Sequence, residues 1–364
     1  MRFTYSQWDE EFYQHLKQLS DLMAIFNYLL VRTNGDVEET LRLMEKLQRQ
    51  GLIDPNFDLD EFKKQLEESN LVKDTKAGLK LTSKGEQSIR QDAFELIFKK
   101  MKSSGNGQHL LPYEGGSSDE WLPEKRSYKF GDNFQSIDYS SSLLNSIARN
   151  NNLNFELNEK DLEVFESERT SSCATVLMID ISHSMILYGE DRITPAKKVA
   201  MAFTELILTK YPKDDLSIVL FGDNAKEVKI KDLPYISVGP FYTNTQAGLR
   251  MARQILMTKK HVNKQIFMIT DGKPSMIIRS NGQIYRNPAG LDPMIVNRTL
   301  DEAVICRKKR IAITTFMVTD DSYLQTFVQK LTELNKGRAY FSSVDNLGSY
   351  ILWDFVTNRR KKYN

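Results

Sequence analysis

Cysteine and histidine are scarce in this sequence. Cys173 and Cys306 are the two cysteines, and four histidines are scattered along the chain. Neither cysteine lies close in the sequence to a second cysteine or histidine that could share a metal ion. A disulfide scaffold and a zinc finger are therefore excluded. We expect both cysteines to be inert packing residues and the protein to be cytoplasmic, in a reducing compartment.

The chain also lacks a strong net charge and a long apolar run. Fifty Lys and Arg residues against 48 Asp and Glu leave a formal charge of +2, which excludes a strong overall field for nucleic acid. The longest apolar run, residues 22–31, is about half of what a bilayer crossing needs. Residues 1–15 contain no apolar segment like that of a signal peptide. We expect no membrane partner, and we do not expect nucleic acid.

The sequence also lacks a phosphate-binding loop and a serine nucleophile paired with a catalytic base. No G-x-x-x-x-G-K-[ST] sequence occurs, and the Gly272-Lys273 pair has no upstream glycine. No histidine is placed to activate Ser182 or Ser184. We therefore expect neither an ATP-driven motor nor a serine hydrolase.

What the sequence does contain is ordinary globular composition, with 364 residues, 40% of them hydrophobic and 27% charged. This length predicts two or three domains. We place a mainly helical domain at residues 1–100 and a linker with a helix and short strands at 101–171. An α/β domain follows at 172–364.

Residues 1–100 predict three helices, a short hairpin around Lys76-Ala77-Gly78 and a fourth helix from Ser83. The second helix is predicted to begin at Asp36 and to end at Gly51. This element order is that of a winged helix, and LKLTSKGEQSI at 79–89 resembles the wing-to-helix passage of that class.

Residues 101–131 contain five glycines and five serines and are predicted to be a linker or long loop. Beyond them, residues 137–149 predict an amphipathic helix. Residues 154–168 predict a pair of short strands.

From residue 172 onward, apolar strands alternate with helices. Four nearly unbroken apolar runs predict buried parallel strands; they lie at 174–180, 216–222, 264–270 and 311–318. Residues 225–230 predict an edge strand and residues 338–341 a last short strand. The pattern is that of a doubly wound, mostly parallel, Rossmann-like α/β fold, whose ligands bind at the carboxyl ends of the strands.

Oxygen-bearing side chains follow three of these segments. Asp180, Ser182 and Ser184 come after the first buried strand, Thr243 precedes a helix, and Asp271 follows the third buried strand. Two acids and three hydroxyls, without sulfur or histidine, suit a small hard divalent cation. We predict a Mg²⁺ site, with Mn²⁺ and Ca²⁺ as alternatives.

The order Asp180-x-Ser182-x-Ser184, Thr243 and Asp271 resembles the metal-ion-dependent adhesion site (MIDAS) of von Willebrand factor A (vWA) domains. The chain is also similar to bacterial stand-alone proteins related to the D subunit of magnesium chelatase. It shares with them a Tyr-Ser-x-Trp-Asp start at Tyr5–Asp9 and the phrases PAKKVA, TDGKP and FVQKLTELNKGRAYF.

The resemblance implies that Asp180, Ser182 and Ser184 hold Mg²⁺ directly or through water. Thr243 would join them in the engaged state, and Asp271 would bind directly or through a water. It also implies a carboxylate from a partner protein as the last ligand, and a partnership with an AAA+ ATPase of the MoxR or magnesium-chelatase type. In that setting the chain would be an adaptor and not an enzyme.

Three neighbouring features are also predicted from the sequence. Asn281-Gly282 predicts a tight hairpin beside the metal that presents Arg279 and Arg286 to a partner. His183 is predicted to be exposed or to face a partner. Thr245 is predicted to cap a helix and not to bind metal.

Two other functions remain as alternatives. A metal-dependent phosphohydrolase would need a second acid two residues after Asp180, where this chain has Ser182. A winged-helix DNA-binding regulator would need a basic recognition helix. The candidate helix instead has a net charge of −3, from Asp58, Asp60, Glu61, Glu67 and Glu68 against Lys63 and Lys64.

Overall fold

The computed structural model describes residues 22–54, 57–76, 78–103, 121–128, 137–150, 157–167, 172–189, 191–279, 281–287, 290–318, 321–341 and 347–358. The Tyr5–Asp9 segment, most of the predicted linker and the basic residues 359–362 lie outside them. The chain divides into two compact units. The first comprises Met1–Leu110 and Ser172–Asn364, and the second comprises Leu111–Ser171.

The first unit is built on a six-stranded sheet. Its strands are β5 (Cys173–Asp180), β6 (Asp215–Phe221), β7 (Ala225–Val228), β8 (Asn263–Thr270), β11 (Ile311–Met317) and β12 (Arg338–Phe341). Their order is β12-β11-β8-β5-β6-β7, and all pairs are parallel except β6 with β7. Every residue of β5 is buried, as expected for a strand covered on both faces.

Helices cover both faces of this sheet. They are α6 (Ile193–Lys210), α7 (Thr245–Thr258), α8 (Pro293–Lys308), α9 (Ser322–Asn335) and α10 (Leu347–Asn358). The predicted α/β class, with a mostly parallel sheet and a helical N-terminal region, is confirmed. None of the helices in the described part of the chain has the length and apolar content that a bilayer crossing requires.

The N-terminal region contains α1 (Leu22–Arg32), α2 (Val37–Arg49), α3 (Leu59–Glu68), the hairpin β1 (Val72–Thr75) and β2 (Gly78–Leu81), and α4 (Ser83–Ser103). The predicted start of α2 is confirmed, because the Asp36 carboxylate accepts a hydrogen bond of 2.9 Å from the Glu39 N–H. The chain turns away from the helix axis at Gly51, just after α2, as predicted. Its φ of +73° is a conformation that favours glycine.

The N-terminal helices and the sheet domain share one apolar core. Phe26 and Leu30 of α1 belong to the same buried cluster as Phe203 of α6 and Phe355 of α10. Polar contacts cross the same boundary: the Arg90 guanidinium of α4 lies 3.4 Å from the Glu205 carboxylate of α6. The helical region is therefore part of the packing of the first unit, and it covers α6.

A lysine of α6 is buried against the N-terminal region. Lys197 has no exposed surface, and its ammonium donates to the carbonyl of Val31 and, at 2.8 Å, to Oδ1 of Asn34. The carbonyls of Ile236 and Pro234 lie 3.1 and 3.5 Å away. Burial lowers the pKa of Lys197 to about 8, so that the ammonium is mostly protonated at neutral pH.

The second unit contains β3 (Trp121–Ser127), α5 (Tyr139–Asn150) and β4 (Glu163–Ser167), with β3 and β4 antiparallel. The prediction of a linker over residues 101–131 is wrong at 121–127. The low apolar content favours a loop, but β3 gains its partner from residues about 40 positions later, which local composition cannot show. The predicted pairing within 154–168 is wrong for the same reason, because the strand that the described residues form there, β4, pairs with β3.

One buried amide joins three elements of the first unit. The side chain of Asn335, at the end of α9, accepts from the Ile313 N–H at 2.7 Å and donates to the carbonyls of Ala303 and Ile311 at 3.1 and 3.2 Å. Asn335→Ala would leave these buried backbone groups without a partner. We expect it to lower the free energy of unfolding by about 2 kcal/mol in urea denaturation.

The matched control is Asn297→Ala on the exposed face of α8, where a change within about 0.5 kcal/mol is expected. Equal effects of the two substitutions would show that the Asn335 bonds contribute nothing specific.

Candidate metal centre

Two neighbouring parallel strands bring the predicted acids together. β5 ends at Asp180 and β8 ends at Thr270, immediately before Asp271. The strands pair in register up to Ile179 and Ile269, so the following residues emerge side by side at the carboxyl edge of the sheet. Asp180 is fully buried, and Asp271 is 3% exposed.

Hydrogen bonds connect four of the five predicted side chains. Asp180 is bonded to the Ser182 side chain, and its Oδ1 accepts from the Ser182 N–H at 2.9 Å. The hydroxyls of Ser182 and Ser184 lie 3.0 Å apart. The Ser184 hydroxyl also bonds the Asp271 carboxylate. These contacts therefore bring Asp180, Ser182, Ser184 and Asp271 together at one point on the carboxyl edge of the sheet.

Thr243 reaches this edge through its backbone. Its N–H donates to the Ser275 hydroxyl at 3.0 Å, and its carbonyl accepts from the Ser275 N–H at the same distance. The His183 N–H, inside the serine loop, donates to the carbonyl of Phe241, also at 3.0 Å. Thr243, which is buried, is thus held between the Asp271 loop and the Ser182–Ser184 loop.

Burial and mutual repulsion dominate the electrostatics of the two acids. Burial, followed by the charge of Asp271, raises the pKa of Asp180 to about 7 despite hydrogen bonds from Ser182 and Thr270. Burial also raises the pKa of Asp271, although Arg192 and Lys273 act in the opposite direction. A pair of buried acids beside each other is costly without a cation that they can share.

The donor set fits a hard divalent cation. Two carboxylates and three hydroxyls offer only oxygen atoms, which Mg²⁺, Mn²⁺ and Ca²⁺ prefer. Within the described ranges, no group of three or more His, Cys, Asp or Glu side chains is positioned to hold a metal ion; this edge of the sheet has two acids and otherwise hydroxyls. Ser184 is half-buried and His183 is exposed, so the edge opens to solvent on this side.

His183 is exposed, as predicted, whereas the prediction that Thr245 caps the helix is wrong. The cap of α7 is Asn244, whose Oδ1 accepts from the Ala247 N–H at 3.0 Å. Thr245 is already the first residue of α7. The side-chain amide of Asn244, one residue earlier, makes the capping hydrogen bond that the sequence predicts for the Thr245 hydroxyl.

Sequence reasoning missed three residues that hold the site in place. The Thr270 hydroxyl donates to Oδ2 of Asp180 at 2.7 Å, Ser275 fixes the Thr243 backbone, and Asp223 accepts from the Tyr242 N–H at 2.7 Å. The pairing of two predicted strand ends could have suggested Thr270. Ser275 and Asp223 have no such local signal.

The hairpin predicted beside this edge is confirmed. β9 (Met276–Ile278) and β10 (Ile284–Arg286) are antiparallel, with Ile278 opposite Ile284. Gly282 has a φ of +80°, a conformation that glycine adopts without strain. Arg279 and Arg286 are both exposed.

A mostly parallel sheet with this topology, and with acid and hydroxyl side chains at its carboxyl edge, defines a vWA-type domain. Residues 173–356 match the family model described as the vWA domain of Rv0959-like proteins, and residues 120–167 match the third domain of those proteins. The chain therefore belongs to the Rv0959-like family of vWA-domain proteins.

The curated relatives include Rv0959 of Mycobacterium tuberculosis (strain ATCC 25618 / H37Rv) and Mb0984 of Mycobacterium bovis. Each is 25% identical over 284 residues, which cover 76% of this chain and 41% of the relative. The chain thus spans less than half the length of the curated relatives it matches.

Similar solved structures include the vWF domain of the type V pili tip protein Mfa5 from Porphyromonas gingivalis. It has 14% identity and a TM-score of 0.43, and the match covers 53% of this chain and 98% of that chain. The SpRpn10 VWA domain has 16% identity and a TM-score of 0.36, with 48% and 92% covered. These similarities concern the fold alone.

Proposed function

We propose that this chain is a non-enzymatic, Mg²⁺-dependent protein-binding module whose metal site is completed by an Asp or Glu of a partner protein. The observation that carries the proposal is the convergence of Asp180, Ser182, Ser184 and Asp271 at an edge that opens to solvent. These side chains, with Thr243, would hold the cation.

A bound Mg²⁺ would supply residual positive charge and an exchangeable ligand position for an incoming carboxylate. The protein's own residues prepare that position. Ser182 and Thr270 orient the Asp180 carboxylate from two sides, and Ser184 connects the two acids. Burial of Asp180 and Asp271 shields the charge from water, which strengthens a charge-assisted contact with an entering carboxylate.

We further propose that the partner is an AAA+ ATPase of the MoxR or magnesium-chelatase type, with this chain as its adaptor. The support is the sequence resemblance to stand-alone proteins related to the chelatase D subunit, together with the missing phosphate-binding loop. In such a pair the partner would supply the ATP-driven motor.

For the N-terminal region, we propose a winged helix used for protein contacts. The support is the order α1, α2, α3, β1–β2 hairpin, α4. The acidic balance of α3 and its flanks disfavours the alternative of a DNA-binding regulator, because phosphates require the opposite charge. The phosphohydrolase alternative is disfavoured because Ser182 stands where its second acid would be needed.

The test of the metal-mediated interaction is a pull-down of a purified MoxR-type ATPase from the same organism. Wild type and Asp180→Ala are each compared in Mg²⁺ and in EDTA. We expect recovery only by the wild type in Mg²⁺, at least about tenfold above the other three conditions. Equal recovery in all four conditions would reject metal-mediated recognition.

A further inference from the structure

The hairpin of β9 and β10 is a rigid extension of the candidate metal centre. The carbonyl of Thr243 accepts from the N–H groups of Ser275 and Met276 at 3.0 and 3.2 Å. The Ser275 carbonyl accepts from the Asn287 N–H at 2.9 Å, which joins the two strands at the same open end of the hairpin. The base of the hairpin and Thr243 are thus joined backbone to backbone.

A second set of contacts holds the face of the hairpin on which Tyr285 lies. The Arg279 guanidinium lies over the Tyr285 ring, 4.6 Å from its centroid. The Tyr285 hydroxyl donates to the Asp292 carboxylate at 2.9 Å, and the same carboxylate caps α8. The hairpin is therefore fixed to both the Thr243 loop and the start of α8.

The remaining face of the hairpin is apolar and exposed. Ile278 and Ile284 form a cross-strand pair and are 39% and 55% exposed. Arg286 lies on the same face of β10, since it is two residues from Ile284. Its guanidinium stacks over the Tyr242 ring at 4.9 Å and lies 3.4 Å from the Asp223 carboxylate. Tyr242 directly precedes Thr243, so this face continues into the candidate metal centre.

The charge of the segment is one-sided. Residues 273–287 contain Lys273, Arg279 and Arg286 and no Asp or Glu. An acidic occupant is favoured by such a surface. A second copy of this chain, paired symmetrically through the same face, would place two such basic segments against each other, which is unfavourable.

We propose that the face formed by Ile278, Ile284 and Arg286 docks an acidic partner segment that carries a large apolar side chain close to its metal-directed Asp or Glu. The apolar side chain packs on the isoleucine pair, and a second acid shares the Arg286 guanidinium with Asp223. This assignment rests on the proposed function, because the first acid is the one that reaches Asp180 and Asp271. The hairpin selects which acidic segments bind.

The experiment is a selection from a displayed library of random short peptides on the full-length chain in Mg²⁺. Enriched peptides are then labelled, and their dissociation constants are measured by fluorescence anisotropy. We expect the enriched sequences to combine at least two acids with a large apolar residue. Ile278→Ser with Ile284→Ser, and separately Arg286→Glu, are expected to weaken binding by at least about tenfold.

Matched controls are Val262→Ser, at an exposed apolar residue directly before β8, and Lys330→Glu, an exposed charge reversal on α9. Both are expected to bind like the wild type. Thermal denaturation with and without Mg²⁺ shows whether the hairpin variants keep the fold and the metal effect.

The outcomes separate the two proposals. If the hairpin variants bind like the wild type while EDTA abolishes binding, the docking surface is rejected and the proposed function stands. Binding that persists in EDTA and in Asp180→Asn would reject the proposed function, and with it the acidic anchor assumed for the hairpin. A selection that enriches no acidic, apolar peptide would reject the docking surface.

Discussion

We expect Mg²⁺ to stabilise the wild-type chain and Asp180→Asn to abolish this stabilisation. Ligand binding to the native state alone stabilises by about 2.7 kcal/mol at a concentration 100 times the dissociation constant. The variant keeps nearly the same shape but removes one of the two anions that would hold the proposed cation. Thermal denaturation over a series of Mg²⁺ concentrations measures the effect, and isothermal titration calorimetry measures the binding itself.

The same substitution has the opposite effect without metal. In EDTA at pH 8, two buried carboxylates lie beside each other, and burial with the charge of Asp271 raises the pKa of Asp180 to about 7. Removing one of the charges is therefore expected to stabilise the metal-free chain by about 1 to 2 kcal/mol. A stabilised apo form that no longer responds to Mg²⁺ is a combination that a merely structural aspartate would not give.

Asp301→Asn is the control, because Asp301 is an exposed acid on α8. It should respond to Mg²⁺ like the wild type. If Asp180→Asn also gained the full Mg²⁺ stabilisation, the cation would be bound elsewhere, and the assignment of this edge of the sheet would be wrong.

Lys197→Ala is expected to lower the free energy of unfolding by about 3 to 5 kcal/mol, more than Asn335→Ala does. The ammonium is the donor for the Val31 and Ile236 carbonyls and for Asn34, and alanine would leave these acceptors buried without it. Lys197→Met restores most of the volume but not the donors. We expect it to cost about 2 kcal/mol, measured as the free energy of unfolding in urea.

Lys198→Met is the matched control one residue further along α6. The Lys198 ammonium lies 3.5 Å from the centroid of the Tyr28 ring, and burial lowers its pKa to about 7. Because the cost of desolvating the charge offsets the ring contact, its loss should cost about 1 kcal/mol or less. If Lys197→Met were as stable as the wild type, the hydrogen bonds of the buried ammonium would only balance the cost of its desolvation.

The contribution of Lys197 to the free energy of unfolding is also expected to depend on pH. Burial lowers its pKa to about 8 in the folded chain, from the ordinary lysine value of 10.5. Between these two values the unfolded chain binds more protons at this group, so the stability of the wild type rises with pH relative to Lys197→Met. Urea denaturation at pH 8 and pH 10 should show the gap between the two proteins widening.

The sheet and the site acids can be predicted from the sequence because their signals are local. Unbroken apolar runs predict β5 and β8, and parallel strands bring their carboxyl ends together, which places Asp180 beside Asp271. The Asn281-Gly282 pair predicts the hairpin in the same way. Each prediction needs only a short window and the general geometry of a parallel sheet.

The errors arise where a structure depends on residues far apart. The sequence of β3 is typical of a linker because its partner, β4, follows about 40 residues later. The role of Lys197 has no local signal because its acceptors belong to α1, to the turn after it and to the segment that ends at Ile236. The prediction of the α7 cap fails on a smaller scale, since Asn244 and Thr245 are both good caps and only the backbone decides between them.

The burial of Lys197 bears on how the protein can be divided for experiments. A fragment beginning at Ser172 would retain α6 but lose Val31 and Asn34, so the Lys197 ammonium and the side of α6 that packs on α1 and α4 would be exposed. Such a fragment should precipitate or need detergent. For this chain the unit to express and crystallise therefore includes the helices that precede the vWA domain as well as the domain itself.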